Sequence, residues 1–127
     1  MGVNKEIRIL LVEDDDINRK LLANILKTLG FNHVSEADNG RSAWEMMQEE
    51  KFDLVMTDWM MPEMDGLQLL KAIREESIDQ KQVPVLMITA LGKQDDIMKA
   101  AKLEIDGYIV KPFSVNTVLA KIEEILG

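Results

Sequence analysis

Five short apolar runs punctuate the chain: IRILLV (7–12), NHVSEA (32–37), FDLVMT (52–57), PVLMIT (84–89) and GYIV (107–110). Their length and their Val and Ile content predict strands. The segments between them carry apolar residues every three to four positions, the period of a helix with one buried face. Ile17, Leu21, Leu22, Ile25, Leu26 and Leu29 follow this spacing after the first run, and Gly30 is placed to end that helix. Further helices are predicted over 39–50 (Ala43, Met46 and Met47 inward), 66–76 (Leu67, Leu70, Ile73), 94–103 (Ile97, Ala100, Ala101) and 115–126 (Val118, Ile122, Ile125, Leu126). The longest polar stretch, EESIDQKQ (75–82), is expected to be a surface loop.

Strand and helix alternate five times, which implies an α/β fold with a parallel sheet covered on both faces. Runs one, three and four are almost continuously apolar, as central strands are. Run two alternates with polar residues and run five is short, so both belong at the edges. The doubly wound order 2-1-3-4-5 satisfies this, and it places a site beyond the carboxyl ends of the strands where the order reverses. One domain over 1–127 accounts for the whole length, and with 46% hydrophobic residues it can bury a core of its own.

The formal charge of -8 and the pI of about 4.6 argue against nucleic acid or an anionic membrane as partners. With no cysteine and a single histidine, His33, thiolate sites and multi-histidine metal sites are excluded. Acids interrupt the first apolar run, so MGVNKEIRILLVEDDD has no signal-peptide pattern, and Glu6 breaks the myristoylation pattern. No run is long enough to span a bilayer. A cytoplasmic monomer is the expectation.

Candidate chemistry collects at the ends of the runs. Glu13 and Asp14 follow the first, Asp58 the third and Lys111 the fifth, while Thr89 ends the fourth. Taken singly, each has an ordinary explanation: an acidic helix start, a strand-end threonine, a surface lysine. Together they are three carboxylates, a hydroxyl and an ammonium on one edge of one sheet. Clustered carboxylates repel unless a cation is present. An all-oxygen donor set suits a hard divalent ion such as Mg²⁺, which takes one or two carboxylates together with waters and a phosphate oxygen. Such a set around one Asp describes phosphoryl transfer with Asp58 as nucleophile. A calcium loop at Asp14–Asn18 fails, because Arg19 and Ile25 stand where Gly and Glu are required. The Asp-x-Asp pattern of haloacid-dehalogenase-type phosphatases would leave Asp58 unexplained.

The motifs ILLVEDDD, TDWMMPEMDGLQLLKAIR, PVLMITA and GYIVKPF, in that order, resemble the receiver domain of two-component response regulators, in its single-domain chemotaxis form. The likeness covers essentially the whole chain and implies a flavodoxin-like fold with five helices. It further implies that Asp58 is the phosphoacceptor, that Asp14 and the backbone carbonyl of Met60 are Mg²⁺ ligands, and that Glu13 acts on the metal through water. It makes Thr89 the switch hydroxyl, Lys111 the phosphoryl-pairing lysine and Tyr108 the ring that turns inward on activation. The Lys111–Pro112 bond is expected to be cis. Ile97, Tyr108 and Lys121 are expected on an output face built from the fourth helix, fifth strand and fifth helix, and Ile17, Asn18 and Pro112 around the kinase-docking mouth. The implied partners are a histidine kinase (CheA-like) and a flagellar motor switch component. The alternatives are a phosphorelay to a histidine phosphotransfer protein, a phosphatase with an aspartyl intermediate, and a flavin module, whose phosphate EDDD would repel. The chain is expected to be a switch and not a turnover enzyme. Trp59 is expected to be partly exposed beside the acceptor. Met60 and Leu91 are apolar where chemotaxis regulators carry polar residues.

Overall fold

The computed structural model describes residues 3–77, 79–90 and 104–127. Its strands are β1 (Arg8–Val12), β2 (His33–Ala37), β3 (Leu54–Asp58), β4 (Val85–Ala90) and β5 (Gly107–Lys111). They form one parallel sheet in the order β2-β1-β3-β4-β5. The helices among the described residues are α1 (Asp16–Thr28), α2 (Gly40–Glu49), α3 (Gly66–Glu76) and α4 (Val115–Leu126). The helix predicted over 94–103, with Ile97, lies outside the described residues.

Each helix start has a residue suited to cap it. Asp15 accepts from Ile17 N, Asn39 from Ser42 N and Ser114 from Thr117 N, and Asp65 forms a reciprocal capping box with Gln68. The strands then sort their side chains by period two. Leu10, Val12, Val55, Val85 and Met87 face α2 and α3 and pack with Met47, Leu70 and Ile73. Ile9, Leu11, Leu54, Met56, Leu86, Ile88 and Ile109 face α1 and α4 and pack with Leu22, Leu26, Val118 and Ile122. Every residue of β3 is buried, whereas the edge strands β2 and β5 are partly open, as the run compositions predict.

Packing sorts the apolar positions of α1. Ile17, expected at the docking mouth, and Leu21 are exposed, at 79% and 48%. At roughly 100° per residue, Ile17 lies about 140° round the helix from Leu22, and Leu21 sits at the margin of the stripe of Leu22, Ile25 and Leu26. The 75–82 stretch, expected to be a surface loop, is not wholly surface. α3 runs to Glu76, and Ser77 and Gln80 are buried. The Gln80 amide donates to Met47 O (2.8 Å) and Glu50 O (3.1 Å) and accepts from Phe52 N (2.9 Å), so it satisfies the carboxyl end of α2 and the entry to β3.

Candidate functional site

The same period-two sorting that builds the core also builds the site. Glu13 continues the Ile9–Leu11 row, Asp58 ends the Leu54–Met56 row, and Lys111 follows Ile109. All three therefore point to the α1/α4 side at the carboxyl edge. Val12 pairs with Thr57, which brings Glu13 level with Asp58. Lys111 is two strands from Asp58, with β4 between them. The β4 residue in register with Lys111 is Ala90, whose methyl leaves room for the lysine arm to cross. Lys111 Nζ lies 3.1 Å from Asp58 Oδ1 and donates to Glu13 Oε1 at 3.2 Å.

Glu13 and Asp58 are buried and Asp14 is exposed, yet each brings one carboxylate oxygen to within 4.8 Å of the others. Burial, with the Asp58 carboxylate alongside, raises the Glu13 pKa to about 7. Burial pulls the Lys111 ammonium down, but the Asp58 and Glu13 carboxylates outweigh it, so its net shift is upward. The cluster therefore holds more negative charge than one ammonium offsets. Its all-oxygen donor set fits a hard divalent cation, and Glu13, Asp14 and Asp58 are the side chains that could hold it.

Beside Asp58 is a cavity of about 140 Å³, lined by Asp58, Trp59, Met60, Thr89, Ala90 and Lys111. At about 30 Å³ per water, it has room for a few waters or a small anion. Thr89 is buried at its wall, with its hydroxyl donating weakly to Ala90 O at 3.3 Å. The Trp59 N–H donates to both Asp58 Oδ1 (2.8 Å) and Ile88 O (3.1 Å), which fixes the Asp58 carboxylate against the backbone. The loop behind it closes through Gly66 N to Trp59 O at 2.8 Å. A Cβ on Gly66 would collide with Asp58 O, so only glycine allows this approach.

Most of the expected site residues meet here: Glu13, Asp14, Asp58, Thr89 and Lys111 converge, and Met60 lines the cavity with its side chain 65% exposed. The Lys111–Pro112 bond is cis. Asn18 and Pro112 line, with Leu21, Lys111 and Phe113, a second groove of about 340 Å³, and Ile17 stands exposed on α1. Tyr108 is half-exposed on β5, with Lys121 Nζ 5.5 Å from its ring centroid. Leu91 and Ile97 lie outside the described residues. Trp59 corrects its expectation, being only 5% exposed. It extends the Val55–Thr57 row, which points beneath α3, and its indole packs into that core. Arg19, absent from the expected site residues, also joins the site, its guanidinium donating to Glu13 O at 2.9 Å. Its place on the first turn of α1 was the available signal.

A family model described as the response regulator receiver domain matches residues 9–123. The chain belongs to the response regulator receiver family. It is 46% identical over 123 residues to chemotaxis protein CheY-3 of Vibrio cholerae, covering 97% of this chain and 94% of the relative. It is 43% identical over 119 residues to chemotaxis protein CheY of Pseudomonas aeruginosa, covering 94% and 95%. The fold matches the solved chemotaxis protein CheY4 of Vibrio cholerae with a TM-score of 0.88, at 30% identity over 95% of this chain and 99% of that one. It also matches the receiver domain of a Pseudomonas aeruginosa sensor histidine kinase, solved with a magnesium ion coordinated in its active-site cleft. That match has a TM-score of 0.86 and 25% identity, over 96% of this chain and 98% of that one. The protein is thus a two-component receiver domain similar to chemotaxis regulators. No helix among its described residues is long and apolar enough to cross a membrane.

Proposed function

We propose that this receiver accepts a phosphoryl group on Asp58 from a histidine kinase, with Mg²⁺, and passes the signal to an output protein of the chemotaxis type. The observation that carries the reading is the convergence of the Lys111 ammonium, 3.1 Å from Asp58 Oδ1, with the carboxylates of Glu13, Asp14 and Asp58. In the transfer, the P–N bond of a phosphohistidine breaks as a P–O bond forms to Asp58 Oδ. Trp59 N–H orients the acceptor carboxylate, and Lys111 is placed to pair with the incoming phosphoryl oxygens. Glu13, Asp14, Asp58 and the Met60 carbonyl would hold Mg²⁺, which supplies charge against the oxygens of the transferring group. Thr89, at the cavity wall, would bond the phosphoryl oxygen, and that pull would draw Tyr108 inward.

The exposed Ile17, with the groove at Asn18, Leu21 and Pro112, offers an apolar rim where the donor histidine's domain can sit. Tyr108 and Lys121 lie on the output side. A relay to a histidine phosphotransfer protein is the second reading, favoured by the likeness to receiver domains of histidine kinases. In both readings the domain is a phosphoacceptor and turns over no external substrate. Incubation with acetyl phosphate and Mg²⁺, followed by intact mass, tests the assignment. One added phosphoryl group is expected in the wild type and none in Asp58→Asn. Equal yields would refute it, and steady phosphate release from added phosphomonoesters would favour a phosphatase.

A further inference from the structure

We propose that Arg19 is the positioning residue of the acidic loop, holding the Glu13–Asp14 peptide in the orientation that turns two successive carboxylates toward one cation. The inference rests on the Mg²⁺ reading above.

In extended chain, neighbouring side chains point to opposite faces. Glu13 is buried and Asp14 exposed, as that rule requires, yet their carboxylate oxygens and that of Asp58 lie within 4.8 Å of one another. The peptide between them must leave the strand path. Its two sides show where it does. The Glu13 N–H stays in the sheet ladder and donates to Ala37 O at 3.1 Å. The Glu13 C=O, past the end of β1 and before α1, accepts instead from Arg19 Nη1 at 2.9 Å. Asp15 N then donates back to Glu13 Oε2 at 3.3 Å, and Asp15 caps α1.

The guanidinium is itself held from two more sides. Nη2 meets Asp16 Oδ1 at 2.6 Å and Nε meets Glu36 Oε1 at 3.3 Å, with the side chain only 15% exposed. One planar fork thus ties the acidic loop to α1 and to the edge strand β2. Three bonds in fixed directions are within the reach of arginine and beyond that of lysine. Charge and geometry make opposite demands here. Removing a cation beside three acids should by itself tighten Mg²⁺ binding. Releasing the peptide should weaken it, because groups that orient metal ligands are commonly worth about 10- to 100-fold in affinity. The sign of the change separates the two roles.

The experiment is calorimetric titration of the full chain with MgCl₂ alone, for wild type, Arg19→Met and Arg19→Lys, well below the melting transition. Amide NMR of the metal-free proteins is recorded alongside. Arg19→Met is expected to bind Mg²⁺ about 10- to 100-fold more weakly and to shift the Asp14 and Asp15 amide resonances before any metal is added. Arg19→Lys, with one donor for the Glu13 carbonyl, should fall between the two. Unchanged or tighter binding in Arg19→Met overturns the inference, as do unmoved Asp14 and Asp15 resonances. Should Arg19→Met not fold, Arg19→Lys decides: weaker binding supports the role and wild-type affinity overturns it. A wild type that binds no Mg²⁺ removes the metal reading and this inference with it.

Discussion

Lys111 reaches across β4 to place its ammonium 3.1 Å from Asp58 Oδ1 and 3.2 Å from Glu13 Oε1. One cation from the last strand thereby answers two buried acids from the first and third. It is a partial answer, since Asp14 adds a third carboxylate nearby. The site is a balance of charge that a divalent cation or a phosphoryl group would shift.

Lys111→Ala leaves the fully buried Glu13 without its ammonium partner. A buried group that loses its partner costs about 1–3 kcal/mol, so the metal-free variant should unfold at lower urea. Phosphorylation should persist at reduced yield, while partner binding no longer responds to it. Chemical denaturation and a pull-down with and without beryllofluoride measure the two effects. Full partner binding by the phosphorylated variant would remove the coupling role.

Mg²⁺ should stabilise the wild type by mass action, by about 2.7 kcal/mol at a hundredfold excess over Kd. Asp14→Asn relieves part of the carboxylate repulsion, so without metal it should melt no lower than the wild type. It should also lose most of the rise on adding Mg²⁺. Paired melting curves in EDTA and in MgCl₂ test both statements, and a wild-type rise in the variant would strike Asp14 from the ligands.

The lifetime of the phosphoryl group should be set partly by Met60, which lines the cavity beside Asp58 and offers an attacking water only a weak sulfur acceptor. The resemblance gives Leu91 the same expected role, and Leu91 lies outside the described residues. Polar side chains at both positions should speed hydrolysis about tenfold or more. Single-turnover phosphate release from wild type and from the Met60→Asn, Leu91→Glu double variant gives the ratio. Equal decay rates would dismiss shielding as the cause.

Gln80→Leu should lower stability without touching the chemistry. Two buried hydrogen bonds and one partly buried one are lost, and each stranded buried group costs about 1–3 kcal/mol before relaxation, so a total of a few kcal/mol is expected. Mg²⁺ affinity of the folded variant should stay at the wild-type value. A changed affinity would mean that this clamp reaches the site.

What the sequence determined by itself was everything carried by local period and local order. The apolar runs and 3.6-residue spacing yielded the strands and helices, and the bounds 66–76 and 115–126 match α3 and α4. Run composition marked β2 and β5 as edges, and the chemistry at the run ends marked Glu13, Asp14, Asp58, Thr89 and Lys111, because a parallel sheet aligns all its carboxyl ends. Tertiary structure decided what depends on which neighbour covers a residue. Trp59 is buried because α3 lies over its row, and Ile17 and Leu21 are exposed because they lie beside the stripe that α1 buries. Gln80 is buried in a polar stretch because the end of α2 needs partners that lie about thirty residues away along the chain. Of Arg19 the sequence shows only a place on the first turn of α1: its value lies in three acceptors on three elements, and no sequence pattern records where a guanidinium's hydrogen bonds end.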